Sequence, residues 1–155
     1  MRTGTRMGVD VGQARIGISR SDPHAVLATP VETVARAEGS DIARIAALVT
    51  EIEPLEIVVG LPLSLSGAPT LSTDDAVQFA ESIAAAVAVP VRLVDERLST
   101  VTAHGALRSA GRSQKSSRGV IDQVAAVIIL QHALDTERGS GRPPGRLLET
   151  SGASE

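Results

Sequence analysis

Three acidic residues, Asp10, Glu96 and Asp122, stand at strand or helix positions that a sheet could bring to one edge. Asp10 interrupts the apolar run Met7-Gly8-Val9-Asp10-Val11, and burying a carboxylate without a partner is costly. Glu96 lies at the end of the short strand Val91 to Val94, where open α/β sheets present ligands. Its neighbour Asp95 points to the other side of a strand, so at most one of the two faces a given site. Asp122 opens a segment otherwise built from Val120, Ile121, Val124, Ala125, Ala126, Val127, Ile128, Ile129 and Leu130. Each has an ordinary explanation when taken singly: turn amides near Gly12 for Asp10, solvation for Glu96, and a favourable first-turn charge on a helix for Asp122. A mixed sheet could bring all three to one edge, where they would repel unless cations sat among them. Hard oxygen ligands select Mg²⁺ or Mn²⁺, and two such ions about 3.5 to 4 Å apart can activate a water and stabilise the leaving oxygen of a phosphodiester. The chemistry expected of Asp10, Glu96 and Asp122 is metal-dependent phosphoryl transfer to water, with two ions.

Competing chemistries find less support. The chain has no cysteine, which removes thiolate metal sites, disulfides and cysteine nucleophiles together. His24, His104 and His132 are scattered, and no serine sits in a G-x-S-x-G elbow. The formal net charge is −3, against a generally basic nucleic-acid binder, yet the charge is unevenly placed. Between Glu96 and Asp122 there is no acid, while Arg97, Arg108, Arg112, Lys115 and Arg118 are cationic. This segment joins the two acids, so it must pass near the proposed site. Arg97, Arg112, Lys115 and Arg118 are therefore candidate phosphate contacts, against the plainer reading of a solvated loop. Arg15, past the first turn, is a candidate for holding the scissile phosphate. Ser99 and Thr100 read as a helix cap or as phosphate contacts at that helix's N-terminus. Phe79 is the only aromatic residue, so a nucleic acid would be read by backbone and shape, not by base stacking.

The elements that must position these residues follow from periodicity. With 155 residues, 43% of them hydrophobic, a single domain with its own core is expected. Met7 to Ser19 reads as a hairpin and Thr29 to Val34 as a third strand. A helix with Ile42, Ile45, Ala46, Val49 and Ile52 on one face follows, with Ser40 as N-cap, Asp41 in the first turn and Pro54 past its end. Ile57 to Val59 is a buried strand ending at Gly60. A second helix carries Ser72 and Asp75 as a capping box and buries Val77, Ala80, Ile83, Ala84 and Val87. Val91 to Val94 is a further strand. A helix from Ser99 towards Gly111, a polar interruption to Gly119 and a buried helix from Val120 to Leu134 complete the pattern. The order β-β-β-α-β-α-β-α-α predicts an α/β mixed sheet with helices on both faces. Residues 1–134 form the expected domain, and residues 135–155, polar and rich in Gly and Pro, are expected to be a disordered tail. No signal pattern or membrane-length apolar run is present, so a cytoplasmic protein is expected.

Four segments taken together resemble a known family. Gly8-Val9-Asp10-Val11-Gly12 with Arg15-Ile16-Gly17-Ile18, then Val58-Val59-Gly60-Leu61-Pro62, then Asp95-Glu96-Arg97-Leu98-Ser99-Thr100, and Asp122 ahead of Ala125-Ala126 and Ile128-Ile129-Leu130-Gln131 are similar to the YqgF/RuvX family of RuvC-like, RNase H-fold proteins. The resemblance covers residues 6 to 134. It implies a five-stranded mixed sheet flanked by helices, with Asp10, Glu96 and Asp122 as catalytic, metal-binding acids. It also implies a nuclease that processes the 5′ end of 16S ribosomal RNA precursor. Cleavage of four-way DNA junctions by a dimer is the alternative, and a non-catalytic RNA-binding assembly factor is a further one. Ser64-Leu65-Ser66-Gly67 replaces the family's more usual Asn-Met-Asp-Gly type of loop, and Ser113, Ser116 and Ser117 dilute the basic segment; both departures bear on substrate choice. An actin-like ATPase or sugar kinase, in which Asp10-Val11-Gly12 would cradle phosphates, is disfavoured by length, because such proteins close two domains around the nucleotide. The implied partner is nucleic acid, with no membrane association, bound by a monomer or homodimer.

Overall fold

Alternating apolar positions over the first 35 residues build an antiparallel meander, as a period of two requires. The computed structural model describes residues 1–64, 66–96 and 118–148. Strands β1 (Arg6–Val11), β2 (Arg15–Ser21) and β3 (Ala28–Ala35) pair with Asp10 opposite Gly17 and Gly17 opposite Thr33. The chain then alternates through α1 (Ser40–Ile52), β4 (Glu56–Leu61), α2 (Leu71–Ala86), β5 (Val91–Asp95), α3 (Arg118–Ser140) and a short β6 (Arg146–Leu147). The strand order is β3-β2-β1-β4-β5-β6, with β1, β4 and β5 parallel and β6 antiparallel to β5. Among the described residues, no helix is long and apolar enough to cross a membrane.

The mixed α/β architecture is the expected one, with a sixth strand in place of an expected five. That strand comes from the segment expected to be disordered. Leu148 N–H donates to the Val91 carbonyl at 2.7 Å and its side chain packs against the core, so Leu147-Leu148 pins an otherwise polar stretch to the sheet. The last helix also continues beyond Leu134 to Ser140, because Glu137 is buried and paired, as described below. Two caps differ from expectation. Ser40 is the first residue of α1, after Gly39 at φ 83° with no side-chain cap bond. The capping box of α2 is formed by Thr70 and Thr73; Asp75 is instead taken by Arg36, at 2.9 and 3.0 Å.

The sheet separates two apolar layers. Met7, Val9, Ile16, Ile57, Val59, Val91 and Leu93 meet Ile45, Leu48, Phe79 and Ile83 of α1 and α2. On the opposite face, Val58 and Val94 meet Ile129, Leu130, Ala133 and Leu134 of α3. This second face is kept flat by Gly8, Gly17 and Gly60 in three neighbouring strands. A Cβ on Gly17 would collide with the backbone carbonyl of Asp122, and one on Gly8 would lie 2.9 Å from the Ala126 carbonyl and 2.8 Å from Leu130 Cβ. Glycine within a strand marks such a close approach. Ser19 Oγ completes the contact by donating to the Ala126 carbonyl at 2.8 Å.

Where the parallel strands begin, a cluster of charges is buried. Arg6 and Glu137 are 1% and 4% exposed, with Arg6 Nη2 to Glu137 Oε2 at 3.1 Å. Arg2 bridges Glu137 at 2.8 Å and Glu56 at 3.1 Å, and Arg92 reaches Glu56 at 3.0 Å. Hydrogen bonds from Arg2, with Arg6 nearby, hold the Glu137 carboxyl at about 2. This cluster fixes one end of α3 and leaves its other end at the C-terminal edge of the parallel strands.

Candidate active site

Strand parity places Asp10. Because Met7 and Val9 face α1 and α2, Gly8 and Asp10 face α3. The Asp10 carboxylate accepts no hydrogen bond among the described residues. Burial pushes its pKa up to about 6, with the charge of Asp122 adding to the effect. An unneutralised carboxylate in a low-dielectric setting is the feature that marks functional sites.

Glu96 lies one residue beyond β5, where its N–H donates to the Leu61 carbonyl at 3.1 Å and so prolongs the pairing with β4. It shares the parity of Val94 and turns towards the α3 face. Its Oε2 lies 2.7 Å from the point a Cβ on Gly60 would occupy. Since β4 runs between β1 and β5, the carboxylate reaches over β4, through space that any larger residue at position 60 would fill. Burial, then Asp10, then Asp95 push its pKa up to about 7.

Asp122 enters from α3. Gln123 Nε2 donates to Thr33 Oγ1 at 3.1 Å, and the glycine contacts set the helix on β1 and β2. The Asp122 carboxylate is 17% exposed and accepts from Arg15 Nε at 2.7 Å; the Arg15 side chain is 38% exposed. Arg15, Gly17 and Ser19 share one face of β2, which brings Arg15 to the outer lip of the site.

The fold therefore brings Asp10, Glu96, Asp122 and Arg15 to one edge, with Asp10 electrostatically between the other two acids. Among the described residues, no group of three or more histidine, aspartate or glutamate side chains is arranged to hold a metal ion; Asp122 is engaged by Arg15. The donor set nevertheless suits Mg²⁺ or Mn²⁺. It is all oxygen, largely buried, and burdened with like charge that a divalent cation would neutralise.

Arg97, Ser99, Thr100, Arg112 and Lys115 lie outside the described residues, as does the helix expected from Ser99. Arg118 begins α3, and its side chain also lies outside them. The sequence reading missed the Arg15 to Asp122 pair and the part played by Gly60. The glycine could have been found, since Gly8, Gly17 and Gly60 all interrupt apolar strands.

A family model described as "RuvX: Holliday junction resolvase" matches residues 4–136. A protein of Clavibacter michiganensis subsp. michiganensis, provisionally named a pre-16S rRNA nuclease, is 63% identical over 150 residues, covering 96% of this chain and 93% of that protein. A relative from Streptomyces coelicolor with the same provisional name is 53% identical over 154 residues, covering 96% and 90%. Among solved structures, RuvC of Thermus thermophilus in complex with a Holliday junction substrate superposes with a TM-score of 0.56 at 17% identity, covering 94% of this chain and 99% of that one. At that identity the likeness is one of fold, and it agrees with the RNase H-like class.

Proposed function

Because this chain belongs to the RuvX family, we propose that it is a metal-dependent endonuclease hydrolysing nucleic-acid phosphodiesters, with the 5′ end of 16S ribosomal RNA precursor as its substrate. The observation that carries this reading is the pair of largely covered carboxylates Asp10 and Glu96, with Glu96 lying against Gly60 and its pKa raised by the charge of Asp10. Asp10, Glu96 and Asp122 would hold Mg²⁺ or Mn²⁺, two ions in the full reading. Such ions supply an activated water and charge stabilisation at the leaving oxygen. The chain's own contribution is positional. Burial strengthens every electrostatic interaction at Asp10 and Glu96, α3 delivers Asp122 to them, and Arg15 offers a guanidinium at the outer lip. With pKa values of about 6 and 7, Asp10 and Glu96 partly retain protons at neutral pH, so metal binding releases protons and tightens as pH rises.

Arg97, Ser99, Thr100, Arg112, Lys115 and Arg118 are the proposed contacts to the nucleic-acid backbone. A cytoplasmic address accords with a ribosomal RNA precursor as substrate, and trimming one asks only for a monomer. The second reading, resolution of four-way DNA junctions, is favoured by the family's description and by the junction bound to the RuvC neighbour. A junction's two-fold symmetry would require a symmetric dimer.

Cleavage of a labelled 16S precursor 5′ leader and of a four-way junction, side by side in Mg²⁺, tests both readings, with Asp10→Asn as the control for contaminating nuclease. Cutting of the leader alone is expected. Paired symmetric nicks in the junction alone would replace the first reading with the second. Binding without cutting of either would leave an assembly factor and overturn the nuclease.

A further inference from the structure

The third carboxylate of the site is not waiting for a cation. Asp122 Oδ2 accepts from Arg15 Nε at 2.7 Å, and the described residues contain no closed three-acid set. We propose that Arg15 is a positioning residue that withholds Asp122 from the cation site until a substrate phosphate draws the guanidinium away. The inference rests on the metal-dependent reading above and adds an order of events to it.

Three features make the exchange feasible. First, the pair sits at a boundary: Asp122 is mostly covered, while Arg15 is 38% exposed and its terminal nitrogens take no hydrogen-bond partner among the described residues. Those nitrogens can engage a phosphate before Nε lets go of Asp122, and the forked guanidinium suits phosphate oxygens in pairs. Secondly, Arg15 is solvent-accessible at this pair, and an ion pair open to solvent on one side is weaker than a fully buried one, so a polyanion can compete for Arg15. Thirdly, the backbone beneath Arg15 is fixed. The Arg15 carbonyl accepts from Gly12 N–H at 2.9 Å, and Arg36 N–H bonds the neighbouring Ala14 carbonyl at 2.9 Å. Only the side chain needs to swing.

A cation at Asp122 would have to share that carboxylate with Arg15, and a guanidinium beside a divalent ion is unfavourable. Phosphate binding to Arg15 and cation binding at Asp122 therefore help one another, as any two events sharing a competitor must. The site would be complete only with substrate in place, which suits an enzyme surrounded by nucleic acid it must not cut.

Mn²⁺ alone, without nucleic acid, tests this by calorimetric titration of wild type, Arg15→Ala, Asp122→Asn and the double variant. Arg15→Gln, which keeps more of the side-chain volume, is carried alongside, and circular dichroism confirms that each is folded. Loss of Arg15 should tighten Mn²⁺ binding about fivefold or more, the lower end of typical coupling, and this gain should vanish when Asp122 is Asn. An equal gain in both backgrounds would mean that Arg15 acts only by long-range charge, and no gain in either would remove the contact's role; both overturn the proposal while leaving the metal site standing. Failure of all these proteins to bind Mn²⁺ would overturn the metal reading and the withheld carboxylate with it.

Discussion

Removing the charge of Asp10 should stabilise the metal-free protein while abolishing its activity. Folding raises the Asp10 pKa from 3.8 to about 6, so between those values the folded state binds more protons than the unfolded one. Stability therefore falls as pH rises through this window and stays lower above it. That rise corresponds to about 3 kcal/mol. Asparagine escapes that loss and forfeits little, since the carboxylate accepts no hydrogen bond among the described residues. It also relieves Glu96, for which Asp10 is the leading charge cause of a raised pKa. For a domain of this length, about 3 kcal/mol corresponds to about 6 to 12 °C in Tm. Thermal unfolding followed by circular dichroism in chelator should show Asp10→Asn above wild type by up to that amount at pH 8, with the gap closing towards pH 4. Adding Mg²⁺ should raise the wild-type Tm much more than that of the variant. A gap independent of pH, or a variant less stable than wild type at pH 8, would refute the assignment of Asp10 as an unneutralised, largely covered charge.

Other perturbations separate the site from its support. Gly60→Ala places a Cβ 2.7 Å from both Glu96 Oε2 and Ile129 Cδ1; both are side-chain ends that can yield, so urea unfolding should show a loss of about 1 to 3 kcal/mol while calorimetry shows weakened Mn²⁺ binding. Gly17→Ala meets the Asp122 backbone instead and should cost more stability than Gly60→Ala in the same urea experiment. The depressed Glu137 carboxyl contributes stability that is present above 4.5 and lost as pH falls towards about 2; Glu137→Gln, which leaves buried Arg6 without its carboxylate, should cost about 3 to 5 kcal/mol at neutral pH by urea unfolding. Lys115→Ala and Arg118→Ala should each lower by about one the slope of log affinity against log salt for nucleic-acid binding, and unchanged slopes would return that segment to plain solvated surface.

Much of this was legible in the residues because strand and helix periods are strong signals when apolar faces are uninterrupted. The meander, α1, β4, α2 and β5 fall close to where alternation and the 3.6-residue stripe put them. Asp10 stood out because an acid in an apolar run carries an energetic cost visible without coordinates. What escaped was non-local. Nothing near Glu137 in sequence announces Arg2 and Arg6 more than 130 positions away, so α3 read as ending at its last apolar residue. The strand at Arg146–Leu147 depends on a free edge of β5, which no local pattern reveals. The capping box went to Thr70 and Thr73 because Arg36 claims Asp75, again a partner distant in sequence. The position of Arg15 past the first turn made it a candidate phosphate contact, but its bond to Asp122 requires knowing that α3 crosses β2.

The helix that carries Asp122 has its footing at the opposite pole of the molecule. Asp122 and Glu137 are separated by fifteen residues of one continuous helix, about 22 Å, with Glu137 tied to Arg2 and Arg6 and the rod lying in a trough of glycines. The helix is thus a measuring rod: the height and azimuth of Asp122 are read off from an anchorage at its far end. Inserting one residue between Leu130 and Glu137 would turn the segment beyond it by about 100°, forcing the helix to give up either its anchorage or its bond to Arg15. Length between those two points is as much a part of the candidate site as the carboxylates themselves.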